Sequence, residues 1–269
     1  MKAGRYEVRA VETGRFRLDG GAMFGTVPKA LWEKTNPPDE KNRIELALRC
    51  LLAEGDGRRI LVDAGIGGST FGAKETEIYA VEDPKPGVEP ETVTDVVLTH
   101  LHFDHAGGVV TKGALTFPKA THWVQERNLE NAKKPNEREK ASYLRQTWEV
   151  LEASGKMKLV DGPVEILPDV HAIPSDGHTA GMQLVRVGSG RGSFVYCADL
   201  IPLVPHVRVA YTMGYDIHPG LLIEEKKRLL DQAEREGWIL FFEHDPETAA
   251  CRLTRDEKGR VLAAEAVAA

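Results

Sequence analysis

Long hydrophobic runs are missing from this 269-residue chain. No stretch approaches the roughly 18 consecutive apolar residues that a membrane-spanning helix needs, and Met1 to Glu7 carry no apolar leader segment. A soluble, cytoplasmic protein without a membrane partner is the expectation. Cysteine is scarce: Cys50, Cys197 and Cys251 are odd in number and sit in apolar segments that read as strands, so core thiols are expected rather than a disulfide framework. Runs of Lys and Arg are also absent. With a net charge of −6 and both signs interspersed, nothing resembles a footprint for a phosphate backbone, and nucleic acid is not an expected partner. Repeats and low-complexity segments are lacking too.

What the chain does have is concentrated in Thr99-His100-Leu101-His102-Phe103-Asp104-His105-Ala106-Gly107-Gly108, which follows an apolar run. Burying three imidazoles and a carboxylate this close together costs several kcal/mol unless they share a partner, so the stretch reads as a metal site. In an extended segment His100, His102 and Asp104 project to one face while Leu101 and Phe103 pack on the other. His105 breaks that alternation and must reach a different point, which suggests two metals.

Length and pattern predict one α/β domain over residues 1–269 with insertions. Tyr6 to Leu18 alternates as an early strand or two. From about 20 to 42 the pattern is lost among Gly20, Gly21, Gly25, Pro28, Pro37 and Pro38, and a long loop is expected. Its apolar residues Met23, Phe24 and Trp32 read as exposed, which favours a lid or a homodimer contact. Ile44 to Ala53 and Arg59 to Val62 form a hairpin of buried strands around Gly55-Asp56-Gly57. Asp63 then ends a strand, either as a hydrogen-bond acceptor behind the metal ligands or as a turn former. A short helix is expected between 69 and 92, and Thr94 to Thr99 is a buried strand that carries the histidine motif at its C-terminal end. A helical insertion is expected over about 121–154, its second helix starting near Asn136 and placing Tyr143, Thr147, Val150 and Leu151 on one face. Strands follow at Val164–Leu167, Val170–Ile173, Met182–Val187, Ser193–Ala198 and Trp238–Phe242, with a helix over Leu221–Glu236 and a closing hairpin. Ligand-type residues end four of the strand-like runs, at His100 to His105, His178, Asp199 and His244.

His100-x-His102-x-Asp104-His105, Gly177-His178-Thr179, Asp199 and His244, with the Asp63 segment ahead of them, resemble the five-motif pattern of the metallo-β-lactamase superfamily over about residues 44–245. The resemblance implies a four-layered αβ/βα sandwich with the site at one edge. It implies that His100, His102 and His178 bind one divalent ion, that Asp104, His105 and His244 bind a second, and that Asp199 bridges them. Zinc is the expected metal, and iron, manganese or cobalt suit the same ligands. In such a site a bridging water, deprotonated near neutral pH, is the nucleophile, and Asp104 helps to manage the proton.

Within the superfamily the chain is most similar to the branch of N-acyl homoserine lactone lactonases and methyl parathion hydrolase. Asp at 199 argues against antibiotic-cleaving members, which place Cys there. Lactonases of that branch place a Tyr three residues after the bridging Asp, where this chain has Pro202; Tyr211 or Tyr215 is the expected substitute. The expected function is hydrolysis of a lactone or related ester, with Met23, Phe24 and Trp32 as an apolar wall and His206 in the pocket loop. A phosphotriesterase is the alternative, and a non-catalytic metal-binding protein a further one.

Overall fold

The computed structural model describes residues 1–269 and builds them around two seven-stranded sheets. The first runs in the order Lys2–Ala3, Tyr6–Asp19, Arg43–Gly55, Arg58–Val62, Asp95–Val97, Thr121–Gln125 and Met157–Val160. The second begins at Val164–Leu167 and runs through Val170–Ser175, Met182–Val187, Phe194–Tyr196, Ile239–Phe241 and Ala250–Arg255 to Val261–Val267. In the first sheet the pairing is antiparallel through Arg58–Val62 and parallel beyond it.

Why the central strands read as almost unbroken apolar runs is visible in their neighbours. Leu51, Ile60, Val62 and Val97 point inward, into a core shared with Val185, Tyr196 and Leu240 of the second sheet. Their chain neighbours Leu52, Leu61 and Val96 point outward, against Leu129 and Leu151 of the helices Glu126–Lys133 and Arg145–Ala153. Side chains alternate faces along a strand, so a sheet covered on both sides needs apolar residues at every position. On the far side the helix Pro219–Glu236 buries Leu222, Leu229, Leu230 and Ala233. The result is the αβ/βα sandwich, helix and sheet against sheet and helix. No helix is long and apolar enough to cross a membrane.

Two expectations are corrected. The 20–42 segment is not an irregular loop, for it folds into the short helices Gly20–Phe24 and Lys29–Trp32, and the Asp19 carboxylate caps the first by accepting from the Ala22 amide at 2.8 Å. Phe24 and Trp32 stack at 5.4 Å, and both lie buried with Met23 in a cluster containing Phe16, Ile44 and Leu203. Gly20 makes this possible, because a Cβ there would fall 2.5 Å from the Trp32 ring. Of the apolar surface on which a homodimer contact was expected, Leu31 is the large residue left exposed. The 121–154 segment is likewise not helical throughout. Thr121–Gln125 is a strand, and no helix starts at Asn136: its side-chain oxygen accepts from the amides of Arg138 and Glu139, a local turn that competes with helix. The second helix begins at Arg145, so Tyr143 precedes it.

Candidate metal centre

Asp95–Val97 delivers the motif, and its first part continues extended: His102 has φ −66° and ψ 156°. A helical turn, Phe103–Ala106, then begins, so the alternation expected to carry Asp104 ends at His102. Leu101 packs outward under the helices as expected, whereas Phe103 turns into the site. Gly108 lets the turn close, since a Cβ there would meet the Ala64 carbonyl oxygen at 2.1 Å.

All seven ligand-type residues converge and are buried. Ligand atoms of His100, His102, His178 and Asp199 lie within 4.8 Å of one another, and those of Asp104, His105 and His244 form a second such group. Asp199 touches both: its Oδ2 is 3.1 Å from His178 Nε2 and 3.5 Å from His105 Nε2, while Oδ1 is 3.4 Å from His244 Nε2.

An outer layer fixes which nitrogen faces inward. His244 Nδ1–H donates to the Ala47 carbonyl at 2.9 Å, and His178 Nδ1–H donates to Asp216 Oδ1 at 3.0 Å. Asp63 accepts from the Thr99 amide and the Thr99 hydroxyl, each at 2.7 Å, and from His105 Nδ1 at 2.9 Å. It does so from a left-handed backbone, φ +59°. The Thr99 hydroxyl, having donated to Asp63, is left to accept from His100 Nδ1 at 3.1 Å. Each of these four imidazoles therefore offers its Nε2 lone pair to the centre. His102 is turned the other way, with Nδ1 3.3 Å from His178 Nε2.

The donor set fits divalent metal ions. Nε2 of His100 and of His105 and Oδ1 of Asp199 are buried polar atoms without a hydrogen-bond partner, an arrangement that costs free energy unless a common acceptor of lone pairs binds there. Burial and the crowding of neighbouring imidazoles push His100 and His102 well below the ordinary imidazole range, so both stay neutral. Burial works against charge on His244 as well, but Glu243 and Asp199 outweigh it and raise it to about 9. Asp199 is held well below the usual carboxylate range: His178 and His105 more than cancel the effect of its burial.

A cavity of about 390 Å³ opens onto the cluster. His102, Asp104, His178, Asp199 and His244 form its floor, and Met23, Phe103, Met213, Tyr79 and Tyr215 contribute to the walls. Met23 and Tyr215 thus lie where a substrate contact was expected. Phe24, Trp32, His206 and Tyr211 do not line this cavity, which corrects their expected roles. His206 Nε2 donates to the Met23 carbonyl at 2.9 Å and its ring stacks on Phe24 at 4.9 Å, so it supports the wall from behind. Tyr211 borders a separate groove beside Leu31 and Pro205.

Four residues the sequence reading did not single out belong to the site. Glu243 carries a signal, adjacency to His244, and its Oε2 is 2.8 Å from His105 Nδ1; burial pushes its carboxyl up to about 7. Asp216, Tyr79 and Glu139 come from loops or helix ends with no pattern of their own.

Comparison with known proteins agrees with this geometry. Residues 48–244 match the family model of the metallo-beta-lactamase superfamily. An N-acyl homoserine lactonase from Bacillus sp is 27% identical over 264 residues, covering 88% of this chain and 92% of that protein. A probable metal-dependent hydrolase from Staphylococcus aureus superposes with a TM-score of 0.89 at 28% identity, over 99% of this chain and 100% of the other. AidC, a dizinc quorum-quenching lactonase in complex with a product, superposes with a TM-score of 0.80 at 19% identity, over 99% and 96% of the two chains. With residues 48–244 matched, well over half of its length, the chain belongs to the metallo-beta-lactamase superfamily.

Proposed function

We propose that this chain is a dinuclear metal-dependent hydrolase that opens lactones or related carboxylic esters of small molecules. The observation that carries this reading is the seven-residue cluster, five members of which floor a cavity with Leu18, Met23, Phe103 and Met213 in its walls. One ion would be held by His100, His102 and His178, a second by Asp104, His105 and His244, with Asp199 between them. When bound, such a pair supplies Lewis acidity and a hydroxide nucleophile at neutral pH. Zinc suits these imidazole and carboxylate donors. The N-acyl homoserine lactonases among the relatives favour an acylated lactone as substrate.

The chain's own residues supply the rest. Asp63, Ala47 and Asp216 hold His105, His244 and His178 in the orientation that presents Nε2. Asp104 faces the cavity and can take up and return a proton as the ring opens. Met23, Phe103 and Met213 shield the reacting carbonyl from water and bury an acyl chain, worth about 0.8 kcal/mol per methylene. Tyr215 brings a hydroxyl to the same wall, the role expected from the tyrosine that Pro202 replaces.

A panel of a long-chain lactone, an aryl ester and an aryl phosphotriester, assayed on metal-reconstituted protein, tests the reading. The expected result is a kcat/KM for the lactone well above that for the phosphotriester, and loss of activity in His102→Ala. Preference for the phosphotriester makes the chain a phosphotriesterase instead, because the ratio reports differential binding of the transition states. Full turnover after exhaustive chelation overturns the metal-dependent mechanism.

A further inference from the structure

His102 differs from the other imidazoles of the cluster in which nitrogen it turns inward. A ring that ligates through Nδ1 must carry its proton on Nε2. In the structure that Nε2 is buried and has no hydrogen-bond partner. The charged group facing it is the carboxylate of Glu139, whose Oε2 lies 4.0 Å away, too far for a hydrogen bond and near enough to form one after a small side-chain rotation.

Glu139 is itself an unusual residue to find there. It is 5% exposed and pairs with no Lys or Arg; His102 is the basic side chain within reach. Neutral donors hold it in place: the amides of Asn131 and Asn136 reach Oε1 at 3.0 and 2.8 Å, and the Thr179 hydroxyl reaches Oε2 at 2.6 Å. A buried carboxylate without a cation is costly, and an imidazole polarised by a bound ion supplies the missing positive charge. The surrounding segment is anchored to the motif as well. Tyr143 pairs with the His102 backbone and sets its ring edge-on to the imidazole at 4.6 Å, and the Phe103 amide donates to Ser142 O at 2.9 Å.

We propose that Glu139 is a positioning residue for His102: on metal loading its Oε2 accepts the His102 Nε2 proton, fixing the tautomer and ring orientation of that ligand. The 134–144 segment is then an outer clamp on one half of the metal centre. This inference rests on the reading of His102 as a metal ligand and names a group that acts through that ligand.

The test uses the whole chain, stripped with a chelator and titrated with zinc against a chromophoric competitor, comparing wild type with Glu139→Gln and Glu139→Ala. Loss of a carboxylate behind a ligating imidazole weakens metal affinity by about 10- to 100-fold. One of two zinc ions should bind 10- to 100-fold more weakly in Glu139→Ala and by a smaller factor in Glu139→Gln, which keeps an acceptor oxygen. The second ion should bind as in wild type. In zinc-loaded protein with ¹⁵N-labelled histidine, the His102 Nε2–H resonance should be hydrogen-bonded and protected in wild type and shift upfield in both variants. Because Glu139→Gln keeps the side chain's size and most of its partners, a change there reports on charge and not on folding. If wild type binds two ions and both variants bind both as tightly, with the resonance unmoved, the inference fails while the metal reading stands. If wild type binds no zinc, it is the reading of His102 as a ligand that fails.

Discussion

Tyr215 and Tyr211 are four residues apart in one loop, and the fold sends them to different surfaces. The Tyr215 ring lines the cavity over the metal cluster; the Tyr211 hydroxyl meets the Arg208 guanidinium at 3.4 Å beside another groove. A hydroxyl that hydrogen-bonds the substrate carbonyl more strongly in the transition state is worth about 1.4 kcal/mol, or tenfold in rate. Tyr215→Phe is therefore expected to lower kcat/KM for a lactone about tenfold, and Tyr211→Phe to leave it unchanged. Equal kinetics for wild type and Tyr215→Phe would remove this residue from the chemistry. No periodicity in the sequence distinguishes the two tyrosines, because the loop has none. Their difference is set by which residues the loop meets: Met213 accepts a place in the wall while its amide donates to Asp216 Oδ2 at 2.7 Å, and that anchors the adjacent Tyr215.

At the scale of elements, the helix Pro219–Glu236 reaches that loop through Lys226, whose ammonium donates to the Tyr211 carbonyl at 2.5 Å. The side chain is fully buried, and burial pushes its pKa down from 10.5 to about 8. Between those values the unfolded chain holds a proton that the folded chain has released, so this group makes stability rise as pH climbs from about 8 to about 10.5. The full contribution is about 3 kcal/mol by the usual 1.36 kcal/mol per pH unit. The urea midpoint of wild type relative to that of Lys226→Met should be higher at pH 10 than at pH 7; an unchanged difference would mean that Lys226 stays charged. A charged residue at the centre of an amphipathic helix is not legible in a sequence, where it reads as part of the solvated face. The strands were legible for the opposite reason: Ile44 to Ala53 is apolar at all positions but Glu45 and Arg49, because most of both its faces is covered. The histidine motif stood out because three imidazoles and a carboxylate lie within six consecutive positions. Phe24 and Trp32 were misread as exposed because the 20–42 segment carries no strand or long-helix period, and only the fold shows that Phe16, Ile44 and Leu203 cover them. Glu139 carried no signal, for its burial depends on Asn131 and Thr179, eight and forty residues away.

Across the whole molecule, the proposed ligand residues are divided between the two halves of the sandwich. His100 to His105 follow a strand of the first sheet; His178, Asp199 and His244 follow strands of the second. The two sheets already share an apolar core and are tied at one end by Arg49, which is buried and donates to the carbonyls of Phe242 and Asp245 at 3.1 and 2.7 Å. Metal binding would add a second tie at the same end, since Phe242 and Asp245 flank His244. It would also relieve the unpaired nitrogens of His100 and His105, which repel one another and the other imidazoles when no ion is shared. A ligand that binds only the folded chain stabilises it by RT ln(1 + [L]/Kd), about 4 kcal/mol at a thousandfold excess over Kd. For a chain of this length, with an unfolding entropy of about 2 cal/mol/K per residue, that corresponds to a rise in Tm on the order of 5 to 10 °C. Thermal unfolding of the metal-loaded and chelator-stripped protein should show that difference, and the increment should grow with free metal concentration. His178→Ala, which removes a ligand from the second half, should abolish most of the increment while leaving the Tm of the stripped protein nearly unchanged, since a smaller side chain there also relieves imidazole crowding. An identical Tm with and without metal would show that the halves are held by their apolar core alone and that the cluster is no tie between them.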